Sequence, residues 1–227
     1  MEVINISENI NTLAKFNIFA NFSLDNLKHF FKCHEPYYET YKKNEIILHQ
    51  GYDIYCIYIV LTGSVSVEKI DIFGNSTYLL DLYKGDLFGE QNLINQLTTI
   101  KYTYKCSNNC KLLVINFKKR YSKTNCPNFC PVKELFAINL LNEIAKNNRL
   151  LMNKLEILSK RSLREKIMTF LINEAEINNS KTIKIPFNKS RFAQYLGVNR
   201  SALMREISSM KNDGLIQVDN TTFTILF

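Results

Sequence analysis

No apolar run in this chain is long enough to cross a bilayer; the longest, such as Ile54–Leu61, are short and broken by tyrosines. The beginning, Met1-Glu2-Val3-Ile4-Asn5, places no basic segment ahead of a long apolar stretch. No signal peptide is therefore expected, and a cytoplasmic location is. Catalytic constellations are missing as well. There is no Gly-x-Ser-x-Gly, no Walker loop and no His-Glu-x-x-His, and the pair Gly89-Glu90 is too little for an acid–base couple. The expectation is that the chain is not an enzyme. Histidine is scarce: His29, His34 and His49 are scattered and give no basis for a haem site.

Glycine is also rare, with seven in 227 residues, and its placing is informative. Gly51, Gly63, Gly74 and Gly85 recur at near-equal intervals, with Gly89 close behind. Between them lie runs rich in β-branched and aromatic residues, at Ile54–Leu61, Ser64–Ile70 and Thr77–Leu82, and more follow at Tyr102–Cys106 and Lys111–Asn116. Regular turn signals between such runs indicate a small antiparallel sandwich or barrel. Phe73-Gly74-Asn75 has the make-up of a hairpin tip. Ahead of these strands, Leu24, Leu27 and Phe31 have helical spacing.

Pro131 opens a stretch with no further Gly or Pro as far as Leu158. Leu141, Asn148 and Leu155 fall at one heptad position, and Ala137, Ile144, Leu151 and Leu158 at the other. A narrow seam with one polar member fits a two-stranded dimer helix, with Leu141, Ile144, Asn148, Leu151 and Leu155 as the interface. The alternative is a core helix packed on its own β-domain.

The remaining third, Lys160 to Phe227, holds eleven Lys and Arg against six Asp and Glu, more than half of the net charge of +8. Such a balance suits phosphate contact. Leu163, Ile167, Phe170 and Leu171 mark an amphipathic helix, and Thr182–Phe187 reads as an edge strand carrying Pro186. Then comes Asn188-Lys-Ser-Arg-Phe-Ala-Gln-Tyr-Leu-Gly-Val-Asn-Arg-Ser-Ala-Leu-Met-Arg-Glu-Ile. Asn188 and Asn199 are suited to cap two helices, and Gly197 to turn the chain between them. Phe192, Ala193, Leu196, Leu203, Ile207 and Met210 form the inner face; Arg200, Ser201, Met204 and Arg205 point outward. This is a helix-turn-helix, whose second helix fits the DNA major groove. Arg200 and Arg205 are candidates for guanine, Ser201 and Gln194 for base or phosphate, and Lys189, Arg191 and Lys211 for phosphates. Leu215–Val218 and Thr222–Leu226 flank Asp219-Asn220-Thr221 as a terminal hairpin, so the motif is winged.

With these residues in view, the chain resembles the CRP/FNR family along nearly its whole length. The resemblance rests on Gln50-Gly51, on Tyr58-Ile-Val-Leu-Thr-Gly-Ser-Val-Ser-Val67, on Lys84-Gly-Asp-Leu-Phe-Gly-Glu90 and on Leu196-Gly-Val-Asn-Arg-Ser-Ala-Leu-Met-Arg205. It implies an α+β protein. Residues 1–130 would form an antiparallel β-roll effector domain with flanking helices, 131–158 the dimerisation helix, and 159–227 the winged helix-turn-helix. It also implies a bacterial transcription regulator that binds a pseudo-palindromic promoter site as a homodimer. The expected partners are double-stranded DNA, a second copy of the chain, RNA polymerase and a small-molecule effector, with no membrane. Arg200, Ser201 and Arg205 match the family's base-reading positions, where Ser201 replaces a common glutamate.

The effector region departs from the pattern. Cyclic-nucleotide binders of the family carry an Arg-Ser or Arg-Thr downstream of Gly-Glu, for the cyclic phosphate. Here Gly89-Glu90 is followed by Leu97-Thr-Thr-Ile-Lys-Tyr102, with Ile100 near the arginine's place and Lys101 alternating away. The candidate pocket is Gly89, Glu90, Thr99, Ile100 and Lys101, and its effector is expected to be something other than cyclic AMP. One alternative is a constitutive DNA binder with no effector. Another is a thiol or metal redox sensor built on Cys106, Cys110, Cys126 and Cys130, two Cys-x₃-Cys pairs that could in principle hold zinc or an iron–sulfur cluster. That spacing is not the usual Cys-x₂-Cys, which favours small apolar or loop cysteines, reduced in a cytosol, so no metal ligands or cofactor are assigned. Cys130-Pro131 does lie just ahead of the proposed dimer helix, where a disulfide or metal would bear on domain orientation.

Overall fold

The computed structural model of the protein describes residues 2–3, 11–91, 99–117, 130–185 and 187–227. It divides into two compact units, Met1–Ile144 and Ala145–Phe227.

In the first unit, helix α1 (Leu24–His34) starts where the Ser23 hydroxyl accepts from the Asn26 N–H, and stops at Glu35, whose backbone is left-handed. Leu27, Phe30 and Phe31 are buried along it, whereas Leu24, in its first turn, is about half exposed rather than part of the inner face. Two antiparallel sheets follow. One has the order β1 (Glu2–Val3), β2 (Tyr37–Tyr41), β9 (Cys110–Asn116), β4 (Cys56–Thr62), β7 (Leu87–Phe88); the other runs β3 (Ile46–Leu48), β8 (Thr103–Cys106), β5 (Val65–Ile70), β6 (Ser76–Leu82). The strands expected between the glycines are present to within a residue or two.

Strand β4 carries no charged residue and no polar alternation because both of its faces are covered. Ile57 and Ile59 join a core with Phe19, Phe31, Leu113 and Phe136. Tyr58 and Val60 face the roll interior with Val65, Phe88, Ile100 and Leu112. The β5–β6 hairpin closes as expected: the Asp71 carboxylate accepts from the N–H groups of Phe73 and Asn75. Gln50 explains its motif, since its amide bonds both backbone groups of Ile70 and fastens the end of β3's segment to β5.

Helix α2 (Pro131–Ser159) runs through both units. Its N-terminal half buries Val132, Phe136, Asn139 and Glu143 within the first unit. Phe136 stacks on Phe30 at 4.7 Å, and the Asn139 amide donates to the carbonyls of Ile18 and Ala20. A different face carries the heptad seam. There Leu141, Leu151 and Leu155 are 63%, 47% and 60% exposed, Ala137 and Asn148 are also exposed, and Ile144 and Leu158 are half-buried. The face that packs on the first unit is thus not the face that carries the heptad seam.

The second unit packs α3 (Leu163–Asn178), α4 (Lys189–Tyr195) and α5 (Arg200–Asn212) on a three-stranded sheet of order β10 (Thr182–Lys184), β12 (Thr222–Ile225), β11 (Ile216–Asp219). Ser162 and Glu165 close a capping box at the start of α3. Strand β10 is shorter than the expected 182–187. Its pairing with β12 stops at Lys184, and Phe187 turns its ring onto Phe170, Phe192 and Tyr195. Pro186 lies outside the described residues.

Candidate nucleic-acid interface

Two short helices can present a surface only if their caps and crossing are fixed locally. Asn188 Oδ1 accepts from the Arg191 N–H at 3.0 Å and starts α4. Phe192, Ala193 and Leu196 are buried, and the small Ala193 admits the second helix at close range. Gly197 then takes φ +68°, a backbone that favours glycine, and reverses the chain. Asn199 Oδ1 accepts from the Ala202 N–H at 2.7 Å and starts α5.

Leu203, Ile207 and Met210 anchor α5 in the core, all at most 2% exposed. Arg200, Ser201 and Arg205 are exposed to solvent, with Met204 half-buried beside them. Gln194 and Lys211 are exposed; Lys189 and Arg191 are half-buried, and the Arg191 guanidinium donates to Gln194 Oε1. The eight residues singled out in the sequence thus lie on the two helices of the motif. The Ser201 hydroxyl donates to Asn199 Oδ1 at 2.9 Å. While that bond holds, Ser201 offers outward lone pairs only, which suits a base amino group and not a phosphate oxygen.

One residue that holds this surface gave no sequence signal. Arg164, on α3, donates from Nε to Glu206 at 2.7 Å and from Nη2 to Ser209 at 2.9 Å, and its Nη1 pairs with Asp213 at 2.7 Å. Glu206 and Asp213 raise its guanidinium pKa above the ordinary value. Three bonds from one planar fork tie α3 to the side chains of Glu206 and Ser209 on α5 and of Asp213 just past its end. Lys154 of α2 lies 4.7 Å from the centre of the Tyr195 ring. The wing, by contrast, carries Asp219, Asn220 and Thr221 at its tip and no basic residue there.

In the roll interior, Gly89 has φ +91°, and a Cβ there would stand 2.4 Å from the Cys56 carbonyl oxygen, so only glycine fits. Glu90 is 6% exposed, and burial raises its carboxyl pKa above the usual range. Beside it Tyr58, Phe88 and Tyr104 form a stack, with centroids 5.0 Å and 4.5 Å apart. Burial, then the charge of Glu90, raises the Tyr104 hydroxyl pKa. Ile100 is 3% exposed and packs into this core with Ile54, Phe88 and Tyr104. Thr99 and Lys101 are exposed instead; Thr99 donates to Asp53, and the Lys101 carbonyl accepts from the Lys69 ammonium. Of the five residues expected at an effector pocket, Gly89, Glu90 and Ile100 therefore lie inside and Thr99 and Lys101 outside. Arg120 is the one arginine in the sequence before Ala145, and it lies outside the described residues.

The cysteines divide between two places. Cys106 and Cys110 are buried in the roll interior, where burial raises the Cys106 thiol pKa and the Cys110 thiol donates to the Ser64 carbonyl. Cys130 packs on the other core, and Cys126 lies outside the described residues. Of the four cysteines weighed as the alternative redox or metal centre, Cys106 and Cys110 pack in one core and Cys130 against the other, so the three described ones do not form a single group. Among the described residues no three His, Cys, Asp or Glu side chains are grouped to hold a metal ion. Nor is any helix among them long and apolar enough to cross a membrane.

Comparison with known proteins agrees with this geometry. The family model "cyclic nucleotide-binding domain" matches residues 38–121, and "Crp-like helix-turn-helix domain" matches residues 165–226. The cAMP-activated global transcriptional regulator CRP of Pasteurella multocida is 23% identical over 203 residues, covering 85% of this chain and 90% of that protein. Among solved structures, a CooA mutant from Carboxydothermus hydrogenoformans aligns with a TM-score of 0.67 at 17% identity, over 100% of this chain and 94% of that one. The c-di-GMP-responsive global regulator CLP of Xanthomonas campestris aligns with a TM-score of 0.63 at 15% identity, over 90% of this chain and 100% of that one. Two matched domains in order and relatives that span most of both chains place this protein in the CRP/FNR family of DNA-binding transcription regulators.

Proposed function

We propose that the protein is a homodimer that reads a pseudo-palindromic promoter site with one α5 helix per half-site, under control of an effector other than cyclic AMP. The observation that carries the DNA reading is the polarity of α5. Its inner face is sealed by Leu203, Ile207 and Met210, while Arg200, Ser201 and Arg205 stand exposed on the other side, near its N-terminus. In a major groove such arginines can each donate two parallel hydrogen bonds to guanine, worth about 1–3 kcal/mol of discrimination. Lys189, Arg191 and Lys211 would neutralise flanking phosphates and set the register. The exposed seam of α2 supports the dimer, because Leu141, Leu151 and Leu155 leave apolar surface that a second copy can cover. RNA polymerase is the further partner in this reading.

The effector reading rests on Ile100. An arginine at that place would give a cyclic phosphate its paired donors; Ile100 fills the place with buried carbon. What remains, a buried carboxyl at Glu90 against an aromatic stack, suits a planar ligand with hydrogen-bond donors. The likeness to CLP, described as c-di-GMP-responsive, supports the view that this fold serves more than one effector.

Selection of bound DNA from a random pool tests the DNA reading. The expected result is an inverted repeat, and Arg205→Ala should relax one position in each half. An unchanged motif from Arg205→Ala would refute the assignment of the outward face. A thermal-shift screen of nucleotides and metabolites tests the effector reading, since a ligand of the native state raises its melting temperature. If cyclic AMP alone raised it, the role given to Ile100 would fail. If no compound did, the chain would be a constitutive DNA binder.

A further inference from the structure

We propose that Cys33 and Cys130 form a peroxide-reactive dithiol with His29 as its base. This chemistry does not depend on the DNA-binding reading. The geometry is specific. His29 and Cys33 lie one turn apart on α1, with the Cys33 Sγ 3.8 Å from His29 Nε2. Cys130, 101 positions further along, brings its Sγ to 3.8 Å from the same nitrogen. The two sulfurs thus face one imidazole nitrogen, each at 3.8 Å, and a bond between them requires them to close to the disulfide length of about 2.05 Å.

Cys130 is placed to be the more reactive of the two. It directly precedes the 29-residue helix α2, and its carbonyl accepts from the N–H groups of Lys133 and Glu134. The start of a long helix favours a thiolate through its unpaired N–H groups and its dipole, and a neighbouring imidazole takes the thiol proton. Both Cys33 and Cys130 are half-buried, so a small oxidant can reach them. The other described cysteines are placed for the opposite behaviour. Burial raises the Cys56 thiol pKa to about 11, and Cys106 and Cys110 are sealed in the roll interior.

The reaction balances as follows. His29 Nε2 takes the proton of the Cys130 thiol. The thiolate attacks one oxygen of hydrogen peroxide; an S–O bond forms, the O–O bond breaks, and the departing hydroxide takes up a proton and leaves as water. Cys130 is then a sulfenic acid. The Cys33 sulfur attacks it, the S–S bond forms, the S–O bond breaks and a second water leaves. Two thiols are oxidised to one disulfide and one peroxide is reduced to two waters. The bond would fasten the end of α1 to the start of α2, the helix that continues into the DNA-binding unit.

The test treats the full reduced chain with equimolar hydrogen peroxide, followed by peptide mapping without reductant. The expected product is a linked peptide joining Cys33 to Cys130, with two titratable thiols lost. Cys33→Ser should stop the reaction at a sulfenic acid on Cys130, trapped by a dimedone-type reagent. His29→Gln should slow thiol loss by roughly a hundredfold or more near pH 7 and shift its pH profile upward. Cys106→Ser should change nothing. The proposal is overturned if both thiols survive the wild-type treatment, or if Cys126 is the main partner of either cysteine. It is also overturned if the purified chain carries one equivalent of zinc or iron on these sulfurs. Mapping of the wild-type chain decides the matter even where a variant folds poorly.

Discussion

Replacing Leu155 with alanine should weaken self-association about a hundredfold while leaving the fold intact. Leu155 is 60% exposed on the seam face of α2. Leucine to alanine removes three carbons, each worth about 0.8 kcal/mol when fully buried. With somewhat over half of that surface still to be covered, the loss is about 1.4 kcal/mol per chain, and a two-fold dimer contains the change twice. About 3 kcal/mol corresponds to roughly a hundredfold in dissociation constant. Sedimentation equilibrium across a concentration series measures it, with far-UV circular dichroism to establish that the monomer is folded. Ile177 provides the control. It is 64% exposed on α3, a different helix from the seam, so Ile177→Ala should leave the dissociation constant unchanged. Equal effects from the two substitutions would mean that the loss is general apolar stickiness; no effect from Leu155→Ala would mean that the seam is not the interface.

Three further outcomes are expected. Lys211→Ala should weaken binding to all DNA sequences alike and lower the slope of log affinity against log salt by about one, measured by anisotropy titrations. Glu90 is held above its usual pKa by burial, so the native chain holds this proton more tightly than the unfolded one. Native stability from this group is therefore lost as pH rises from the ordinary carboxylate range through the raised value. Glu90→Gln should melt like the wild type below the ordinary carboxylate range and at increasingly higher temperature than the wild type as the pH is raised from there; a difference that does not change with pH would contradict this. Arg164→Ala, which frees Glu206, Ser209 and Asp213 together, should lower the melting temperature and reduce DNA affinity by roughly two- to tenfold. Arg164→Lys should not restore either, because an ammonium cannot reach three partners in one plane.

The sequence carries best what is decided within a few residues. Asn188, Gly197 and Asn199 mark the helix ends because each makes a bond to a group only three positions away. The regular glycines mark the roll because each of its turns is a local event. What escapes is decided at long range. Arg164 meets Glu206 and Ser209 across 42 and 45 positions, and nothing in its own amphipathic helix distinguishes it from a solvated arginine. The second face of α2 was hidden for a different reason. Two of its four buried residues, Asn139 and Glu143, are polar, so the stripe is not apolar even though it is buried. Thr99 and Lys101 flank the buried Ile100 in sequence, yet both are exposed, because neighbours along an extended segment face opposite ways. His29, Cys33 and Cys130 meet only because the end of α1 packs beside the start of α2.

The stack of Tyr58, Phe88 and Tyr104 beside Glu90 has an optical consequence. The chain contains no tryptophan, so no indole drains energy from its twelve tyrosines. Tyr58 and Tyr104 are held rigidly on either side of one phenyl ring in a chiral interior, so they should contribute sharp near-ultraviolet dichroic bands. An ionised carboxylate near the Tyr104 hydroxyl should quench its emission, and a neutral one should not. The roll interior thus carries its own reporter, able to register the protonation of Glu90 or the arrival of a ligand without any label.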